Sequence, residues 1–520
     1  RPTLRLGWLV HWVGIGLVCA ALLPLGGWAQ QGAVELAQEG AERQGEEQPP
    51  LPVQKESITV VGKRVPVEEG AATPTSVGRD EITAQALKPS TVREALPLIP
   101  GVTRTPEGRL NILAAPEQRI ALLVNSMDVT DPATGDFGAT VPIDSIAQMS
   151  IYRSPFLAEY GRFTAGVVAV DTRRGGDKWT YELNDPTPEF RIRSARLVGI
   201  RAFTPRFTTT GPLVRNKLYM SQSVEFLLKK IPVFTLQFPS NEERRQSWNS
   251  LTQLDYIPSA RHLFSFTLHG VPQRINFARL DFYNPRPVTP HYRGHEFRGG
   301  VVHSYHSSAG LLDSAFSVDR TEALIGAYGE EEFVMTPTRH FGNYFMRQNR
   351  ESNRWQWRET WSPRAGNGTH RFKLGGALRR TELNGFWRAN PIRIETLAGE
   401  PLSRIDFQNR PEYRLSDWEG SLFVQDRWVP VTQFVLDAGL RTDYQKMTGV
   451  WRMAPRFGAA FSPFANGGTV LRGGFGWFFD RVPLNIYAFP HYPAREVTTY
   501  AQGGETSRVL FRNVLDAESG

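Results

Sequence analysis

Past about residue 178, apolar and polar residues alternate with period two, and this pattern limits the possible folds more than any other feature of the chain. Phe264, Phe266 and Leu268 alternate with Ser265, Thr267 and His269; Phe372, Leu374 and Leu378 alternate with Arg371, Lys373 and Arg379. Phe434, Leu436, Ala438 and Leu440 likewise alternate with Val435, Asp437, Gly439 and Arg441. Successive strand side chains point to opposite faces, so each segment reads as a strand with one greasy and one polar side. A soluble β-sandwich would show the same alternation. The aromatics decide for a membrane barrel: 31 Phe, 15 Tyr and 13 Trp, with Trp355, Trp357 and Trp361 on one parity as an interfacial girdle requires. A helical membrane protein would need several runs of about 20 apolar residues, and the chain has one, at its N-terminus.

That run starts with Arg1 and Arg5, continues from Leu6 to Leu25 and ends at Gly27, Trp28 and Ala29, the pattern of a secretory signal peptide over residues 1–29. Arg1 in the place of a Met suggests a start within an open reading frame. The single cysteine, Cys19, lies inside the run, so cleavage leaves no thiol, and disulfides, cysteine nucleophiles and Cys-based zinc sites are excluded. The net charge of +8 is spread along the strands, for example at Arg354, Arg358, Arg371, Lys373, Arg379 and Arg380. Nucleic-acid binding would concentrate such charge in a stripe; a polar barrel lumen accounts for this spread, with anionic lipid head groups or solutes as secondary partners.

Residues 30–55 are rich in Gln, Glu, Gly and Pro and read as a disordered leader. A short β-prone run, Glu56 to Gly62, follows it. Asp80 to Leu98 carries a helical pattern with Asp80 placed to cap it, and Pro100-Gly101-Val102 ends that helix and turns the chain into a strand. Arg119 to Val124 is an apolar strand, after which Asn125 suits a left-handed turn position. Ile146 to Gly176 then reads strand, bend, strand, with Pro155, Glu159, Tyr160, Gly161 and Gly166 in the bend.

These motifs resemble TonB-dependent outer-membrane receptors. The Leu-Ile-Pro-Gly-Val step at 98–102, the Ala-Glu-Tyr-Gly of 158–161 and the Gly-Val-Val-x-Val strand from Gly166 match the plug domain of that family, while Gly211-Pro212-Leu213, Phe423 to Trp428 and Ala454 to Arg481 resemble its large-receptor, Oar-like branch. The resemblance implies a mostly β fold: an α+β plug over 63–177 inside a large antiparallel transmembrane β-barrel from 178 to 520. It also implies a TonB box at 56–62, where Ile58, Thr59, Val60, Val61 and Gly62 would pair their main chain with a strand of TonB. The plug-motif residues it points to are Pro100, Gly101, Val102, Arg119, Glu159, Tyr160, Gly161 and Gly166. One departure stands out: Ala114-Ala115 replaces the family's Arg-Gly, which takes away one source of the charged contacts that lock a plug in its barrel. Plugged barrels have about 22 strands, more than the remaining length of about 340 residues supplies, so the chain is expected to lack C-terminal strands; a complete barrel of about 14 strands is the other option.

No nucleophile elbow, His-Glu-x-x-His or phosphate-binding loop is present, which argues against an enzyme, and no cofactor is implied. Asp128, Asp131 and Asp136 flank a turn and read as solvating it, without a twelve-residue calcium loop, and His303 and His306 fall on opposite strand faces, so no metal site is expected. The expected function is an outer-membrane receptor that binds an extracellular ligand and imports it by plug displacement, driven by TonB and its inner-membrane energising complex. Lipopolysaccharide and outer-membrane lipid are expected neighbours. The alternative is an Oar-like surface, adhesion or secretion-associated protein without uptake. The loops at 276–293 and 384–412 are rich in Arg and aromatics, which suits sugars as well as anionic chelates.

Overall fold

The computed structural model describes residues 70–513, apart from 72–73, 84–88, 106–108, 113, 138–139, 153–156, 194, 365–367, 465–468 and 502–503. The signal-peptide, leader and TonB-box expectations, Ile58 to Gly62 included, lie outside the described residues. All described residues fall within one compact unit, Lys63–Gly520.

The alternating segments form a 15-stranded sheet in which neighbours pair antiparallel, from Glu189–Arg193 to Leu471–Gly476. Among the described residues its two ends do not pair with each other. One end of the wall has tight turns, Ser259 to His262, Ser307 to Gly310 and Val431 to Phe434, and the other has the long connections at 232–242, 276–291, 326–346 and 389–413. In outer-membrane barrels short turns face the periplasm and long loops the exterior, which fixes the two ends. Side-chain parity is as the pattern predicts: Trp355, Trp357 and Trp361 are 56%, 48% and 39% exposed on the lipid-facing side, while Ser352 and Arg354 are buried on the inner side. Arg380 departs from the expected lumen set. It points outward, its guanidinium 5.3 Å from the Trp418 ring, because it shares the parity of Leu378 rather than that of Arg379.

The inner domain is built on a five-stranded sheet. Ile120–Val124 pairs parallel with Gly166–Thr172, which pairs antiparallel with Ile146–Tyr152. Asn125 and Ser126, both at positive φ (48° and 67°), close the tight turn from Ile120–Val124 into Met127–Asp128. Ile120, Leu122, Ile146, Met149, Ile151, Val168 and Val170 form its core with Ile82, Leu96 and Ile99, and among the described residues Leu251 alone joins that cluster from the barrel wall. The expected single helix over Asp80–Leu98 is instead two short pieces, Arg79–Thr83 and Val92–Ala95, the second extended by a tight turn at Leu96–Leu98. Pro89 disfavours helix at the residue before it, and Thr91, not Asp80, caps the second piece through its Oγ1, which accepts from Glu94 N at 3.3 Å.

Two elements had no forecast from the pattern. A six-stranded sheet gathers His340–Phe341, Phe333–Met335, Ile392–Glu395, Pro401–Gln408, Ala494–Ala501 and Gly504–Phe511 from the long-loop end, around a core of Val288, Phe333 and Ile392. The stretch around Phe479-Asp480-Arg481, expected to continue the barrel, instead leaves the wall after Gly476. It forms a short helix at Leu484–Ala488 packed with Ala133, Leu383 and Tyr413.

Candidate functional site

The polar inner face of the barrel meets the inner domain through side chains that the alternation places on one parity. Arg354, Gln356, Arg379, Arg441 and Arg456 all project inward, and each ends on the plug. The hub is Asp128. Its carboxylate takes Arg379 Nη2 at 2.8 Å, with Arg481 Nη1 at 3.6 Å and Arg354 Nη1 at 3.8 Å, and Thr130 Oγ1 donates to it at 2.7 Å. Its backbone carbonyl accepts from Arg354 Nη2 at 2.6 Å and Gln356 Nε2 at 2.8 Å. Burial alone would raise the Asp128 carboxyl, but the guanidiniums of Arg354, Arg379 and Arg481 outweigh it and hold the group well below the usual carboxylate range. Arg354 is fully buried and shared with Asp319 at 3.1 Å, so the cluster is a network rather than one pair.

A second group of contacts surrounds the bend. Arg441 Nη1 donates to the carbonyls of Ala158 and Glu159, both at 3.2 Å, and Arg456 Nη1 to those of Leu157 and Tyr160 at 2.7 and 2.5 Å. Glu159 pairs with Lys373, and its backbone N–H donates to Gln425 Oε1 at 3.0 Å. Arg162 reaches Glu419 at 3.1 Å and Gln445 at 2.6 Å, and Arg350 reaches Asp131 at 2.7 Å. The inserted segment closes the ring, with Asp480 accepting from Thr164 Oγ1 at 3.0 Å and lying 3.6 Å from Arg119. Between these contacts lies a cavity of about 130 Å³ bordered by Tyr160, Arg162, Arg379, Glu419 and Arg481.

Of the plug-motif residues, Glu159, Tyr160 and Gly161 sit together at this interface, where a Cβ on Gly161 would fall 2.0 Å from Arg441 Nε. Gly166 packs against the Tyr152 carbonyl, and Arg119 lies at the rim with its side chain 62% exposed. Pro100, Gly101 and Val102 lie apart from this group: Gly101, at φ 89°, turns the chain into Val102–Arg104. Asp128 and Asp131 bind barrel arginines in addition to holding their turn, where Thr130 N donates to Asp128 Oδ1 at 3.0 Å and Ala133 N to Asp131 Oδ1 at 2.8 Å, while Asp136 accepts from Gln118 at 2.6 Å. The loss of Arg-Gly at Ala114-Ala115 therefore does not leave the plug without charged contacts. The pairs run both ways: Asp128, Asp131 and Glu159 of the plug face cations of the wall, and Arg162 of the plug faces Glu419 of the wall. Arg354 and Arg379 were legible as lumen residues; that they converge on Asp128 was not, since the contact spans over 200 positions of sequence.

The family model "TonB-dependent Receptor Plug Domain" matches residues 66–168, and "Outer membrane beta barrel domain" matches residues 447–517. The chain is a TonB-dependent outer-membrane receptor. Solved structures of the same fold include the outer membrane transporter YddB from Escherichia coli, with TM-score 0.61 and 12% identity over 82% of this receptor and 67% of that chain. A mutant of the ferric enterobactin receptor PfeA from Pseudomonas aeruginosa matches with TM-score 0.62 and 14% identity over 84% and 70%. The siderophore receptor PirA from Acinetobacter baumannii matches with TM-score 0.62 and 11% identity over 84% and 69%. No curated protein matches the sequence. The receptor belongs to a family of receptors and transporters, not enzymes, and these matches do not favour the surface-organising alternative.

Proposed function

We propose that this receptor binds an extracellular ligand at its outer mouth and imports it when TonB, captured by Ile58 to Gly62, pulls part of the plug aside. The observation that supports this most is the kind of bonding at the interface. The plug has its own apolar core, and its ties to the wall are ion pairs and hydrogen bonds around Asp128, Glu159 and Arg162. Such ties exchange readily with water once strained, whereas an apolar interface of the same area would have to be exposed all at once. A polar, hydrated lumen path is what a solute needs after the plug moves. Near the long-loop end rings pack on one another, Trp387 against Tyr492 with centroids 3.9 Å apart and the buried Tyr413 against His491 at 5.5 Å. The proposed outer-membrane location puts the segment ending at Gly62 on the periplasmic side, where TonB and its energising complex operate.

The test is accumulation of labelled solutes, a panel of ferric chelates, cobalamin and oligosaccharides, by cells carrying the receptor as its sole route. Uptake of one class that stops when the proton gradient is collapsed supports the reading. Surface binding with no gradient-dependent accumulation of any class contradicts it.

A further inference from the structure

His306 lies on the opposite strand face from His303, but strand pairing brings His303 a different imidazole. The strands His262–Asn276 and His291–Ser307 run antiparallel, with His262 opposite Tyr305 and Phe264 opposite His303. His262 and His303 are therefore diagonal neighbours on the outward face, beside the tight turns at 259–262 and 307–310. Both are half-buried, and His262 Nδ1 lies 3.0 Å from His303 Nε2. The ring planes are 4° apart and the centroids 5.3 Å apart, which is that nitrogen–nitrogen distance extended by the two ring radii. The imidazoles thus lie edge to edge in nearly one plane, their two nitrogens head-on. Phe264 stacks on His303 with centroids 4.3 Å apart, and Tyr305 on His262 at 4.7 Å. The contact is an N–H···N bond in which one ring donates and the other accepts.

Two imidazole nitrogens facing each other in line define a linear pair of ligands. Among the described residues no three His, Asp or Glu side chains gather where they could hold a metal ion, so a tetrahedral ion such as Zn²⁺ would find too few protein ligands here. Monovalent Cu(I) and Ag(I) need only two, and imidazole suits copper. We propose that His262 and His303 form a two-coordinate site for Cu(I) at the periplasmic rim, tying the two strands together beside their turns. Metal–imidazole bonds of about 2 Å set the nitrogens about 4 Å apart, so the rings need to part by about 1 Å. The donating ring becomes a ligand by shifting its proton to its other nitrogen, so both imidazoles bind as neutral groups. The faces of Phe264 and Tyr305 favour a cation without adding a ligand. The inference is independent of what the receptor imports.

The experiment titrates metal-free receptor in neutral detergent with Cu(I), without oxygen and against a coloured Cu(I) chelator, and follows with X-ray absorption on the loaded protein. Wild type is expected to hold one Cu(I) between two nitrogen ligands and to give it up to Ag(I). H262Q and H303Q should each bind at least tenfold more weakly. H370Q should bind as wild type does, because His370, also outward at this rim, is bonded to Asp426 at 2.6 Å instead. Unchanged Cu(I) affinity in both H262Q and H303Q overturns the proposal. So does a wild-type spectrum with three or more ligands, a readout that needs no variant to fold, and so does displacement of Cu(I) by Zn²⁺ at the same concentration.

Discussion

Asp128→Asn is the sharpest test of how the plug is held. The substitution keeps the shape and keeps the Oδ1 acceptor that takes Thr130 N at 3.0 Å and Thr130 Oγ1 at 2.7 Å. It removes the charge that faces Arg379 at 2.8 Å, Arg481 at 3.6 Å and Arg354 at 3.8 Å. Arg354 retains Asp319 and Arg379 retains Glu419 at 3.7 Å, so the guanidiniums are not wholly orphaned. Breaking a buried pair by removing one partner costs about 3–5 kcal/mol, and the remaining partners place this case near the lower value. At about 1.36 kcal/mol per decade, 3 kcal/mol is roughly a hundredfold in the opening equilibrium. Amide hydrogen exchange across 120–130 in the purified receptor reads that equilibrium directly. We expect those amides to exchange at least a hundredfold faster in Asp128→Asn. In Asp136→Asn, which disturbs only the single hydrogen bond that Gln118 donates, the change should stay within about tenfold. Equal protection in Asp128→Asn and wild type would refute the reasoning, because the cluster would then contribute nothing to seating the plug.

Two further outcomes follow from the same geometry. Because the folded-state pKa of Asp128 is depressed, its stabilisation is present above the unfolded value near 3.9 and disappears only as pH falls through the folded one, so plug protection at 120–130 should be flat from about pH 5 to 8 and decline only in stronger acid; a loss between pH 5 and 7 would contradict this. Gly161→Ala puts a Cβ 2.0 Å from Arg441 Nε, whose guanidinium is fixed by Asp443 at 3.0 Å, and should lower the thermal stability of the plug by about 1–3 kcal/mol without changing barrel assembly, as read by melting with a plug-specific probe.

The wall was legible because alternation is local: the parity of Trp355, Trp357 and Trp361, and of Arg354 and Arg379, is set by strand period alone. The plug strands Ile146–Tyr152 and Gly166–Thr172 were legible for the same reason, and Asn125 for its tolerance of positive φ. The clamp around Asp128 was not, since it depends on which faces the tertiary fold brings together; Asp128, Asp131 and Asp136 look alike in sequence, and only tertiary contact separates them. The inserted segment was hidden by its own composition. Phe478, Phe479 and Asp480-Arg481 continue an aromatic strand pattern, but Arg481 and Asp480 find partners in the lumen, and Phe478 stacks under Arg456 at 4.4 Å.

Whether this receptor is driven from the periplasm through Ile58 to Gly62 is decided by binding of the purified periplasmic domain of TonB to the receptor and to its Val60→Pro variant. Proline removes a main-chain donor from a segment whose recognition rests on strand pairing. We expect at least a tenfold loss of TonB binding in the variant, with the barrel and plug unchanged by hydrogen exchange; equal binding by the two proteins would rule out drive through this segment.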